Sequence, residues 1–163
     1  MEIIKLTDAS HPAFRKICEW NYNWWGVRSN SSFEEVRCNL EHSLCTVRLP
    51  QTFVALVNGE PAGMYQFAMA DDLSARPDLY PWLINVYVDE KFRGQNVCRG
   101  LMLSVMANAK AAGLPELYLY TKHIGLYEKF GWEFLEEVPT FREDSPVERL
   151  YHLNIGRRQD EHR

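Results

Sequence analysis

The chain lacks any apolar run near the roughly 18 residues that a membrane-crossing helix requires, so no span is expected. Its start, Met1-Glu2-Ile3-Ile4-Lys5, has no basic flank leading into an apolar core, so no secretory leader is expected and the reading is cytoplasmic. Cysteine is scarce, with only Cys18, Cys38, Cys45 and Cys98. None sits in a C-x-x-C pair, which argues against a zinc centre or redox couple and for buried or idle thiols. No metal is expected. Internal repeats and low-complexity stretches are absent as well. An excess of positive charge is also missing: 18 Lys and Arg face 22 Asp and Glu, a net charge of -4. That balance argues against a general nucleic-acid binder and leaves room for a local basic site. What is present is ordinary globular material, 163 residues of which 46% are hydrophobic, enough for one domain with its own core. The expected domain spans 1–156, with a polar, disordered tail over 157–163. Aromatic residues are plentiful at 13%, and Trp20, Trp24 and Trp25 fall within six positions.

Hydrophobic periodicity and punctuation give the elements. A short strand is expected over Ile3–Leu6 and a helix over Pro12–Trp24, with proline in its first turn and Phe14, Ile17 and Cys18 on one face. Ser32 and Glu35 have capping-box spacing, which predicts a helix from Phe33 to about Leu44. Asn58-Gly59 then joins two strands, Thr52–Val57 and Ala62–Ala70, as a hairpin. A polar loop over Asp71–Pro81 leads into the most strand-like run, Trp82–Val88. A helix over Val97–Ala112 ends at Gly113, a strand follows over Leu117–Thr121, and a short helix spans Gly125–Phe130. Strands over Trp132–Leu135 and Leu150–Ile155 complete an α/β domain with a mixed sheet. The strand-helix-strand unit from Trp82 to Thr121 implies a parallel pair.

Two stretches carry chemistry. In Val86-Tyr87-Val88-Asp89-Glu90-Lys91-Phe92-Arg93-Gly94-Gln95-Asn96-Val97-Cys98-Arg99-Gly100 a strand ends, a basic loop follows and a helix begins. Unpaired N–H groups at a helix start, with Arg93 and Arg99 beside them, suit a phosphate or pyrophosphate. Such turns also occur with no ligand. The second stretch, Leu126-Tyr127-Glu128-Lys129-Phe130-Gly131-Trp132, places a phenol in a short helix after a strand, where a plain core tyrosine is the alternative.

Taken together, the two stretches resemble the GCN5-related N-acetyltransferase (GNAT) superfamily. That family's phosphate loop reads Arg/Gln-x-x-Gly-x-Gly/Ala, and Arg93, Asn96 and Cys98 stand at the matching positions. Its late segment, Leu/Phe-Tyr-x-x-x-Gly-Phe/Trp, matches Leu126 to Trp132 position by position. The likeness is strongest from Trp82 to Leu135 and rests on element order elsewhere. Two loop glycines are replaced. Asn96 can hold a left-handed turn, whereas Cys98 adds a side chain where the backbone must approach a pyrophosphate.

The resemblance implies a mostly antiparallel central sheet with a splayed parallel strand pair and flanking helices. It implies acetyl-CoA as co-substrate, with the pyrophosphate held by the amides from Gln95 to Gly100. Val86, Tyr87 and Val88 would lie along the pantetheine arm, and the Val88 amide would polarise the thioester carbonyl. Tyr127 corresponds to the general acid, and His123 is the candidate base, with a surface histidine as the alternative. Asn85 stands where some relatives carry a carboxylate. Trp24, Trp25, Tyr22 and Tyr65 are candidates for the acceptor wall, and Trp20 is assigned to the core. Trp24 and Trp25 are favoured because adjacent residues should not face one core. Asp71 and Asp72 are candidates for attracting a cationic amine. The implied activity is N-acetylation of a small molecule or a protein amine by a monomer or homodimer, without nucleic acid or membrane. A catalytically silent acyl-CoA-binding sensor or partner subunit is the alternative.

Overall fold

The computed structural model describes residues 1–156; the expected tail lies outside the described residues. Among the described residues seven strands are hydrogen-bonded in the order β1 (Glu2–Leu6), β2 (Gln51–Val57), β3 (Glu60–Ala68), β4 (Trp82–Val88), β5 (Glu116–Thr121), β7 (Val147–Asn154) and β6 (Glu133–Pro139), with one parallel pair, β4–β5, and flanking helices. The residues cluster into two compact units, Met1–Phe67 with Ile84–Ser104, and Ala68–Leu83 with Val105 onward. No helix among the described residues is long and apolar enough to cross a membrane.

In the first unit, β1 (Glu2–Leu6) pairs antiparallel with β2 (Gln51–Val57), which pairs antiparallel with β3 (Glu60–Ala68). Asn58 and Gly59 both take positive φ, as the hairpin turn demands. Helix α1 (Ala13–Asn21) buries Phe14, Ile17, Cys18 and Trp20 against Leu6, Val54 and Met64. The helical path does not stop at Trp24. It widens into a π-turn over Tyr22–Gly26, closed by the Val27 N–H donating to the Tyr22 carbonyl at 2.9 Å. Helix α2 (Phe33–Glu41) has the capping box read from sequence: Glu35 N–H donates to Ser32 Oγ at 3.1 Å and Ser32 N–H to Glu35 Oε2 at 2.6 Å. It ends three residues before the expected Leu44.

Strand β4 (Trp82–Val88) and helix α3 (Val97–Ala111) each run through both units. In the second unit the start of β4 pairs parallel with β5 (Glu116–Thr121), Trp82 opposite Tyr118. Strand β5 pairs antiparallel with β7 (Val147–Asn154), and β7 with β6 (Glu133–Pro139). Both of the last strands are longer than their apolar runs suggested, because β6 is an exposed edge strand rich in glutamate. The expected short helix is a 3₁₀ turn, Tyr127–Phe130, ended by left-handed Gly131 at φ 85°.

Candidate active site

The site's first component grows from the end of β4. Asn85 takes a left-handed φ of 51° inside the strand, breaking its regular pleat. Its amide donates to Gln66 Oε1 at 2.6 Å; Gln66 Nε2 donates to Thr52 Oγ1 at 2.8 Å, and Thr52 Oγ1 donates to the Ser43 carbonyl at 2.9 Å. Gln66 and Thr52 are buried, so this polar chain holds the irregularity against β3 and β2. An asparagine pinned in this way acts as a structural donor.

Past Val88 the chain turns at Asp89, whose N–H donates to the Ala62 carbonyl at 2.9 Å. Asp89 Oδ2 accepts from Trp20 Nε1 at 2.8 Å and Oδ1 accepts from the Lys91 N–H at 3.0 Å, starting a 3₁₀ turn over Glu90–Phe92. Burial pushes this carboxyl up, but those two hydrogen bonds and the Lys16 and Lys91 charges outweigh it and hold it below the ordinary range. Gly94 at φ 76° and Asn96 at φ 62° then bracket Gln95. Left-handed residues placed this way turn successive amides into a concave nest. Asn96 caps the start of α3, its carbonyl accepting from the Gly100 N–H at 3.0 Å. Cys98 lies in the first turn of α3 with an ordinary backbone, so its departure from the family pattern is confined to its side chain. Burial pushes its thiol up, which keeps it neutral.

A cavity of about 280 Å³ opens here, lined by Val88, Phe92, Arg93, Gly94, Asn96, Val97, Cys98 and Arg99. Two guanidinium groups and no carboxylate belong to this lining. Arg93 is exposed, its Nε donating to the Val88 carbonyl at 3.2 Å and its Nη1 lying 3.6 Å from Glu90. A cationic hollow at the start of a 15-residue helix fits a pyrophosphate group. Val86 and Tyr87 lie outside this lining.

Tyr87 sits at the centre of an aromatic cluster instead. Its ring lies 5.5 Å from Trp20, 6.0 Å from Trp24 and 6.3 Å from Trp25. Adjacent tryptophans therefore do share one neighbour, contrary to the expectation, because they sit on the widened turn. Trp24 remains 38% exposed, with the Arg28 guanidinium 4.7 Å above its ring. Tyr65 was expected on an acceptor wall. The structure buries it fully, stacked on Phe53 at 4.8 Å, with its hydroxyl 3.0 Å from Ser104 Oγ. Its place on the α3 side of β3 makes it core.

The second unit carries the remaining candidates. Tyr127 is 7% exposed, its ring 6.0 Å from Trp132 and 6.2 Å from Tyr151. Tyr151 was not singled out by its sequence. Its hydroxyl donates to Glu128 Oε1 at 2.7 Å and accepts from Arg149 Nε at 2.9 Å. No alternation along β7 marks it, since its neighbour Leu150 is buried as well and both faces of the strand are covered. His123 is exposed after β5, its N–H donating to Thr121 Oγ1 at 3.2 Å. Asp71 is half-buried, and its Oδ1 accepts from the Asp72 N–H at 2.8 Å. The Tyr120 hydroxyl donates to Asp72 Oδ1, and Arg142 lies 5.7 Å over the Tyr120 ring. Burial, then the Asp72 charge, pushes the Asp71 carboxyl well above its ordinary range. Burial likewise raises the Tyr120 phenol, with the charge of Asp71 and the bond to Asp72 adding to it.

The sequence profile of the acetyltransferase (GNAT) family matches residues 14–132, and the chain belongs to that family. It is therefore an acyltransferase, with acetyl-CoA as its co-substrate. No curated sequence matches significantly. Among solved structures, an aminoglycoside 6'-N-acetyltransferase complexed with coenzyme A aligns at TM-score 0.73 and 12% identity, over 98% of this chain and 100% of that one. The ribosomal-protein-S18-alanine N-acetyltransferase of Escherichia coli aligns at 0.67 and 18% identity, over 98% and 97%. A GNAT acetyltransferase of Elizabethkingia anophelis with acetyl-CoA bound aligns at 0.64 and 19%, over 94% and 97%. At these identities the likeness is one of fold.

Proposed function

We propose that this protein transfers the acetyl group of acetyl-CoA to the amine of a small molecule or protein, by direct attack and with Tyr127 as general acid. The observation that carries this reading is the cationic hollow at the start of α3, where Gly94 and Asn96 shape the loop and Arg93 and Arg99 line it. The co-substrate supplies an activated acyl thioester. Arg93, Arg99 and the amides from Gln95 to Arg99 hold its pyrophosphate, the Gly100 N–H being taken up by the Asn96 carbonyl, and the Val88 amide serves the carbonyl oxygen. The acceptor nitrogen, as free amine, forms a C–N bond to the acyl carbon while the C–S bond breaks. Tyr127 gives its proton to the departing sulfur, and the nitrogen's surplus proton passes to a base, for which His123 is the candidate. Trp24 and Trp25 form the acceptor wall, and the Asp72 carboxylate, with Asp71 beside it, attracts a cationic amine.

Thermal shift with acetyl-CoA, followed by thiol release over a panel of amines, tests the reading. Stabilisation and thiol release are expected in the wild type. Tyr127→Phe should keep the stabilisation and lose at least about tenfold in turnover. A sensor without catalysis, which the Cys98 side chain in the hollow would favour, gives stabilisation and no thiol release on any amine. Absence of stabilisation at millimolar acetyl-CoA overturns both.

A further inference from the structure

We propose that Tyr151 is a positioning residue for Tyr127, acting through the hydroxyl that it shares with Glu128 and Arg149. The inference rests on the assignment of Tyr127 as acid. The turn that carries Tyr127 is only four residues long, Tyr127–Phe130. A 3₁₀ turn of that length has poor hydrogen-bond geometry and no cooperativity of its own to hold a side chain still. Its backbone is closed by the Trp132 N–H donating to the Tyr127 carbonyl at 3.3 Å. The further tie comes from β7. Tyr151 is fully buried, and its hydroxyl donates to Glu128, the residue after Tyr127, at 2.7 Å.

The same hydroxyl accepts from Arg149 Nε at 2.9 Å, and the Arg149 guanidinium lies 3.8 Å over the Phe134 ring. The phenol oxygen thus has both a donor and an acceptor, and its donor is stacked in place. The His123 carbonyl lies 3.5 Å from the same hydroxyl, so the segment that precedes the turn reaches the same point. A phenylalanine at 151 would fill the same volume and keep the ring contacts to Tyr127 and Phe134. Packing alone has no use for this oxygen. Fixing the turn that presents the acid does, because small misplacements of a catalytic group are expensive in rate.

A double-mutant cycle tests this. Tyr151→Phe is expected to lower kcat about fivefold, with the KM for acetyl-CoA and the melting temperature little changed. In a Tyr127→Phe background the same substitution should cost nothing further, since no acid remains to be positioned. Glu128→Ala, on the exposed side of the turn, breaks the same hydrogen bond without touching the core and should reproduce the loss. Glu128→Gln, which keeps an acceptor oxygen, should restore most of the rate. An equal loss from Tyr151→Phe in both backgrounds, or an unchanged kcat, overturns the proposal. Unchanged turnover in Tyr127→Phe itself removes the acid assignment, and the proposal falls with it. An impaired Tyr127→Phe beside an unimpaired Tyr151→Phe sinks the positioning role alone.

Discussion

At position 96 the family pattern has glycine and this chain has asparagine, and the backbone there is left-handed at φ 62°. Asparagine tolerates that region because its short polar side chain bonds locally, whereas a β-carbon otherwise crowds the following carbonyl. Asn96→Ala should therefore cost about 1 kcal/mol in urea denaturation, and Asn96→Gly should cost little. A loss that is equal for both would assign the effect to the side chain rather than to φ. Cys98 shows the opposite case. Its backbone is helical, so nothing about φ asks for glycine, and its thiol, kept neutral by burial, adds only volume to the hollow. Asn85 is the third such residue. Its left-handed φ and its bond to Gln66 give it a structural task.

Among elements, β4 does the most. Its interior irregularity is held from outside by Gln66 on β3, which in turn bonds Thr52 on β2. Gln66→Leu keeps the approximate volume but leaves the Asn85 amide and the Thr52 hydroxyl short of a partner. The expected cost is about 2 kcal/mol by chemical denaturation, together with weaker stabilisation by acetyl-CoA. An unaffected denaturation midpoint would show that the relay is dispensable. The π-turn after α1 is a second element that its sequence did not announce. Trp24-Trp25-Gly26 reads as the end of a helix, and the adjacency of two tryptophans suggests divergent faces. A widened turn brings both rings to Tyr87. A β-carbon at Gly26 would come to 3.0 Å from the Val36 side chain, so α2 packs tightly against this turn.

For the whole molecule, a net charge of -4 coexists with a cationic hollow, so binding of one polyanionic ligand needs no basic surface elsewhere. The burial around Asp71, with the Asp72 charge beside it, also has a stability consequence. The folded-state Asp71 carboxyl is raised, so the native chain holds that proton over a range where the unfolded chain has released it. The linkage therefore removes stability as pH rises from the ordinary carboxylate value through the raised one. Asp71→Asn should raise stability by about 1 kcal/mol above that window, the worth of one pKa unit, and make no difference well below it. Melting curves across about pH 3 to 8 check this, and a gain of the same size at both ends would refute it.

The amino-acid sequence by itself determined what is local. It marked the Asn58-Gly59 hairpin, the Ser32–Glu35 capping box, the left-handed turn at Asn96 and the arginine-flanked helix start, because each depends on backbone sterics or hydrogen bonds within a few residues. It also carried the Tyr127–Gly131 spacing, since a glycine must end that turn in the left-handed region. Only the tertiary structure decided which aromatic rings are core and which are open. Tyr65 and Trp24 are both large aromatic residues, yet one is fully buried and the other 38% exposed. The hydroxyl of Tyr151 and the carboxyl of Asp71 acquire their partners in the same way, 23 residues away at Glu128 for the one and in the burial around the other. Burial is a property of the face that long-range packing selects, and no window of neighbouring residues contains it.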